Sequence, residues 1–87
     1  MKTADIEIIH QEEFYQDYQE NILPNYQRNI EDLFYEIITA SEEIPESYQY
    51  VFVEAEHCID HIAKRFTFTS FETETGLEVQ YMGVIDE

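Results

Sequence analysis

Ile30-Glu-Asp-Leu-Phe-Tyr-Glu-Ile-Ile-Thr-Ala-Ser-Glu-Glu-Ile-Pro-Glu-Ser-Tyr-Gln-Tyr-Val-Phe-Val-Glu54 contains the change of periodicity on which the fold turns. Its first part places Ile30, Leu33, Phe34, Ile37 and Ile38 at i, i+3, i+4, i+7 and i+8, the apolar stripe of an amphipathic helix. Ser41-Glu-Glu-Ile-Pro-Glu-Ser47 interrupts that stripe. From Tyr48 onward, aromatic and β-branched residues dominate, as they do in strands. The pattern predicts a helix from about Asn25 to Ala40, then a strand that opens at Tyr48.

Upstream, Phe14, Tyr18 and Ile22 recur every four residues, and Thr3 to Leu23 reads as a first helix. Its start is ambiguous, because Asp5-Ile-Glu-Ile-Ile-His10 also suits a short edge strand. Pro24 marks the boundary, since proline disfavours helix at the preceding residue and suits the first turn of the next one. Downstream, Phe66 and Phe68 alternate with Thr67 and Thr69 in a second strand, Arg65 to Phe71. Leu77, Val79 and Tyr81 share one face of a third, Leu77 to Ile85. Thr73-Glu-Thr-Gly76 reads as the hairpin turn between them, with glycine supplying a positive φ. His57 to Lys64 reads as a longer loop or a short helical turn joining the first two strands. The expected fold is α+β, with two N-terminal helices packed on one face of a three-stranded antiparallel sheet and residues 1–87 forming a single domain. Val51 and Val53 are expected inside, which leaves Tyr48, Tyr50, Phe52 and Glu54 outside.

Composition limits what such a domain does. At 87 residues and 44% hydrophobic content the chain has enough apolar side chains for one modest core. No apolar run of about 18 residues occurs, and Met1-Lys-Thr-Ala-Asp-Ile-Glu7 lacks the basic and apolar blocks of a signal peptide, so a cytoplasmic location is expected. Cys58 is the single cysteine, which excludes an internal disulfide and suits a reducing compartment.

Charge is the dominant feature: twenty Asp and Glu against four Lys and Arg give a net charge of −16. Such an excess destabilises the compact state by self-repulsion and repels nucleic acid and anionic lipid, while attracting a basic protein. One group of acids falls on the predicted helices: Glu12, Glu13, Asp17, Glu20, Glu31, Asp32 and Glu36. Neighbours three or four apart there stand roughly 5–6 Å from each other. The other group, Glu54, Glu56, Glu72, Glu74 and Glu78, belongs to the strands and hairpin, where same-face neighbours lie about 6.6 Å apart. Both spacings are close to the separation of successive phosphates in a nucleic-acid strand, so a Lys/Arg groove would meet them as it meets a backbone. Tyr15, Tyr26, Tyr35, Tyr48 and Tyr50 are interleaved with the acids and supply large, rigid contact area.

Because helices on one sheet face leave the other open, the expected partner-binding set is Glu54, Glu56, Glu72, Glu74, Glu78, Tyr48 and Tyr50. Other uses of acidity are plain solubility and adaptation to high salt. The low lysine content suits salt adaptation, whereas the many large hydrophobics do not.

Enzymatic chemistry finds little support. Glu54-Ala-Glu-His-Cys-Ile-Asp-His61 is the one dense cluster of ligating residues, and zinc would need about four of them to converge from a connector. A Cys58 nucleophile has no recognisable oxyanion loop. A calcium loop is absent, and Gly76 and Gly83, the only glycines, cannot build a phosphate cradle. The expectation is a non-enzyme without cofactor or metal, acting as a monomer or dimer.

Two resemblances point the same way. In size and charge, and in its ending Gln80-Tyr-Met-Gly-Val-Ile-Asp-Glu87, the chain resembles small acidic phage-type inhibitors that imitate DNA, the uracil-DNA glycosylase inhibitors and some anti-CRISPR proteins. Glu36-Ile-Ile, Ile44-Pro-Glu, Val51, Glu54 and Phe66-Thr-Phe are similar in order to the opening of antitoxins that neutralise secreted bacterial nucleases, which are longer chains. Both resemblances imply an inhibitor whose partner is a nuclease, a glycosylase or another nucleic-acid-binding protein. An immunity or adaptor protein with a different target is the alternative.

Overall fold

The computed structural model describes residues 5–87. Strand β1 (Asp5–Ile9) is followed by helix α1 (Gln11–Asn21), helix α2 (Ile30–Glu43) and strands β2 (Tyr48–Val53), β3 (Lys64–Glu72) and β4 (Gly76–Asp86). The sheet has the order β1-β4-β3-β2, with β1 parallel to β4 and the other pairs antiparallel. The expected three-stranded antiparallel sheet is therefore corrected to a four-stranded mixed one.

The difference lies in Asp5 to Ile9, which the helix reading absorbed. Ile6 and Ile8 pair with Leu77 and Val79 and pack against the core, while the intervening Glu7 is exposed. This is a period of two, carried by only two isoleucines. His10 then takes a left-handed conformation (φ 65°, ψ 33°), which ends the strand and turns the chain into α1. The helix reading of Thr3 and Ala4 lies outside the described residues.

Phe14 and Tyr18 of α1 and Ile22 just beyond it are buried. Phe14 is the centre of the core, with the rings of Phe68, Tyr81, Phe34, Phe66 and Tyr18 at 5.0, 5.3, 5.5, 5.7 and 5.9 Å between centroids. Tilted and edge-on pairs at these separations contribute beyond their buried area, about 0.5–1.5 kcal/mol each. Truncating such a residue to alanine costs about 3–5 kcal/mol, a large part of a small domain's stability.

Pro24 does not open α2. It starts a 3₁₀ turn, Pro24–Tyr26, and the second helix begins at Ile30. Asn29 explains the delay: its side-chain oxygen accepts from the backbone N–H of Glu31 at 2.8 Å and of Asp32 at 3.3 Å, capping the helix there. Leu33, Phe34 and Ile37 then face the sheet, as their spacing predicts, and the helix continues to Glu43.

Along the strands, the expected faces hold. Val51, Phe66, Phe68, Leu77, Val79 and Tyr81 are buried beneath the helices. Gly76 does not have the positive φ expected of it; the hairpin closes by reciprocal backbone bonds between Thr73 and Gly76, at 2.7 and 3.3 Å. The glycine with positive φ is Gly83, at 114°. It lies where Thr67 pairs with Gly83 but Phe68 pairs with Tyr81, leaving Met82 as the extra residue of a β-bulge. Beyond that bulge the alternation reverses, so Val84 packs inward and Ile85 is exposed.

Candidate partner interface

Both helices cover the same sheet face, so the side chains on the other face project outward. Strand register arranges them in rows: Tyr48, Thr69 and Gln80; Phe52, Arg65 and Ile85; Phe71, Glu78 and Glu7. Tyr48, Tyr50 and Phe52 are 77%, 54% and 47% exposed, and Phe71, Met82 and Ile85 are also open to solvent. Six large apolar side chains thus share one sheet face, with Thr67, Thr69 and Arg65 of β3 among them, and exposed apolar groups gathered on one face mark interaction sites more than singly scattered ones do.

The structure divides the expected binding set. Tyr48 and Tyr50 lie on the open face, on edge strand β2. Glu54 and Glu56 are exposed just past the end of β2 level with Lys64, and Glu56 stands 3.7 Å from His57 Nε2. Glu72 and Glu74 sit at the opposite end of β3, about 26 Å away at the usual rise of a nine-residue strand. There the hairpin and the end of α2 form a groove lined by Glu42, Pro45, Glu72 and Glu74. Glu72 pairs with the buried Leu77 and so lies on the helix side, whereas Glu78 pairs with Phe71 on the open side. The sheet acids thus form two separated ends with aromatic surface between them.

The helical acids form a denser array. Glu12, Glu13, Glu20, Glu31, Asp32, Glu36, Glu42 and Glu43 are all exposed on α1 and α2. Asp17 is half-buried and accepts a hydrogen bond from the Tyr81 hydroxyl at 2.7 Å, which ties α1 to β4. Burial, together with this carboxylate, holds the Tyr81 phenol far above the usual tyrosine range.

The described cations are already occupied. Arg28 makes a bidentate pair with Glu36, its hydrogen bonds raising the guanidinium's pKa and lowering the carboxylate's. Lys64 is buried and donates to Asp60 at 2.7 Å and Asp86 at 2.6 Å; these bonds raise its pKa and lower that of Asp60. Arg65 donates to Glu87 at 2.8 Å and lies over the Tyr50 ring, its Cζ 4.5 Å from the centroid. Glu12, Glu20, Glu31, Asp32, Glu42, Glu43, Glu46, Glu54, Glu72 and Glu74 have no cationic partner among the described residues.

The Glu54 to His61 cluster is dispersed. Cys58 is fully buried, with Sγ 3.4 Å from the Glu54 carbonyl and 3.8 Å from that of Val53, and burial pushes its thiol pKa up. His57 stacks on Tyr26 at 4.1 Å, and His61 is exposed in a left-handed conformation. Backbone bonds from Leu23 to His57 and from Ile59 to Asn21, both 2.9 Å, fasten this connector to the one between the helices. Among the described residues no group of three or more His, Cys, Asp or Glu is arranged to hold a metal ion. No helix there is long and apolar enough to cross a membrane.

The sequence reading missed Phe71, Met82 and Ile85 as parts of the open face. Phe71 is legible from parity, since it is out of step with Phe66 and Phe68. Ile85 requires the bulge, for which an isolated glycine inside a strand, Gly83, is the signal. The chain matches no protein-family model, no curated protein and no solved structure.

Proposed function

We propose that this chain is a non-enzymatic acidic inhibitor, working in the cytoplasm, that binds the basic nucleic-acid-binding surface of a nuclease, glycosylase or similar protein in place of DNA or RNA. The observation that supports it is the state of the described cations: Arg28, Lys64 and Arg65 are each paired already, so among the described residues most of the exposed carboxylates have no cationic partner and can attract a basic protein. Those carboxylates cover the helical layer and both ends of the sheet, so they act together as a field. Such a field raises association rates and releases counterions from a Lys/Arg groove when the two surfaces meet.

The apolar open face favours a second reading, an immunity or adaptor protein whose target does not handle nucleic acid, because burial of rings needs no phosphate-binding groove. Competition separates the two. The immobilised protein should retain a basic protein from lysate, and a DNA or RNA duplex should displace it. A captured protein that holds duplex and this chain together removes the mimic reading. Raising salt from about 50 to 500 mM should weaken the complex mainly through slower association. Affinity that does not change over that range would replace charge with the apolar face as the main source of binding.

A further inference from the structure

We propose that the β2 side of the open sheet face reads arginine: the basic partner lays guanidinium groups over Tyr48 and Phe52, the rings that flank the one Arg65 already covers. The inference rests on the reading that the partner is basic, and adds which cation it presents and where that cation sits.

Tyr48, Tyr50 and Phe52 alternate along one strand, so they point to the same side at intervals of about 6.6 Å. That strand is the outermost of the sheet, with β3 as its one neighbour, so its rings can be approached from the face and from the edge. One ring already holds a guanidinium. Arg65, the cross-strand neighbour of Phe52, reaches diagonally over Tyr50 while its Nη2 donates to Glu87 Oε1. Stacking on an aromatic face with a carboxylate at the edge is the environment a planar, weakly hydrated guanidinium prefers. The same ingredients recur along the strand without an internal cation. Tyr48 is the most exposed of the three rings, no Lys or Arg lies over it among the described residues, and Glu46, Glu54 and Glu56 are exposed at the two ends of β2.

The occupant follows from charge. A second copy would bring another −16 against this face, and nucleic acid is repelled likewise. A lysine-rich surface satisfies the carboxylates, but its compact, strongly hydrated ammonium gains less from the rings.

Oligo-arginine and oligo-lysine peptides of equal length serve as probes, titrated at about 50 mM salt with binding read from backbone amide shifts. Oligo-arginine should bind about five- to tenfold more tightly, from one or two stacked guanidinium groups. The paired change Tyr48→Ala and Phe52→Ala should remove that preference while leaving oligo-lysine affinity unchanged. Tyr48→Phe, which keeps both open rings, should retain it. Tyr48 and Phe52 are both exposed, and circular dichroism checks that the fold persists. Equal affinity for the two peptides, or an arginine preference that survives the alanine pair, overturns the proposal and leaves the basic-partner reading standing. Failure of both peptides to bind removes the basic-partner reading itself. A native dimer in sedimentation that the alanine pair dissociates assigns the face to a second copy and overturns the proposal by another route.

Discussion

Replacing Tyr81 by Phe deletes one oxygen from the seam between α1 and β4. The ring stays in place, since its contacts with Phe14 and Phe68, both at 5.3 Å, do not involve the hydroxyl. What is lost is the 2.7 Å hydrogen bond donated to Asp17 Oδ2, from a side chain only 4% exposed. Hydrogen bonds to charged groups contribute about 1.5–3 kcal/mol. Asp17 is half-buried and regains water when the donor leaves, so the lower end applies, about 1.5 kcal/mol. For a domain of this size that lowers Tm by about 6–12 °C.

The same contact sets a pH dependence with a definite sign. The folded phenol has a raised pKa, because burial and Asp17 both oppose its ionisation. Its contribution is complete below the unfolded tyrosine value of about 10 and declines as pH rises toward the folded value. The stability gap between the native protein and Tyr81→Phe should therefore narrow between about pH 7 and pH 11. Urea unfolding followed by far-UV circular dichroism at both pH values measures it. A variant as stable as the native protein at neutral pH, or a gap that widens in alkali, would refute the reasoning.

Two further outcomes are expected. Asn29→Ala should destabilise the protein by about 1 kcal/mol by leaving the amides of Glu31 and Asp32 uncapped, read as a lower urea midpoint with an unchanged slope. Glu78→Gln should stabilise it by a few tenths to about 1 kcal/mol, because Glu7 and Glu78 are like charges in register on neighbouring strands; the gain should shrink as salt is added.

Most of the layer arrangement is legible in the residues because each pattern is long. The α2 stripe runs through more than two turns from Ile30 to Ile38, and Phe66, Phe68, Leu77, Val79 and Tyr81 keep strict alternation, so a local error cannot reverse their assignment. β1 is not legible to the same degree. Its alternation rests on Ile6 and Ile8, and its partner β4 is about 70 residues away along the chain, so parallel pairing leaves no local trace. The break between the helices is likewise set by the Asn29 cap more than by Pro24. For the candidate site, Tyr48 and Tyr50 are placed correctly by the inward preference of Val51 and Val53. The sheet acids are exposed or half-exposed, but their expected common face fails at Glu72, which lies on the helix side, and a list of positions does not reveal that the length of β3 separates Glu54 and Glu56 from Glu72 and Glu74.

On the proposed reading, that separation changes how charge and contact divide the work of binding. A row of carboxylates standing in for phosphates would need its members on one surface, and the sheet acids do not share one. Carboxylates spread over the helices and the two sheet ends produce a field that attracts a basic partner from any direction without holding it in one orientation. Orientation then has to come from a surface with shape, and the open sheet face has it: three exposed rings on an edge strand, a bulge that turns Ile85 outward, and Phe71 at the hairpin end. Reversing helical acids should accordingly slow association, whereas truncating rings on β2 should speed dissociation. Separate rate measurements on any captured partner distinguish the two, and acid reversals that change mainly the dissociation rate would return the contact itself to the carboxylates.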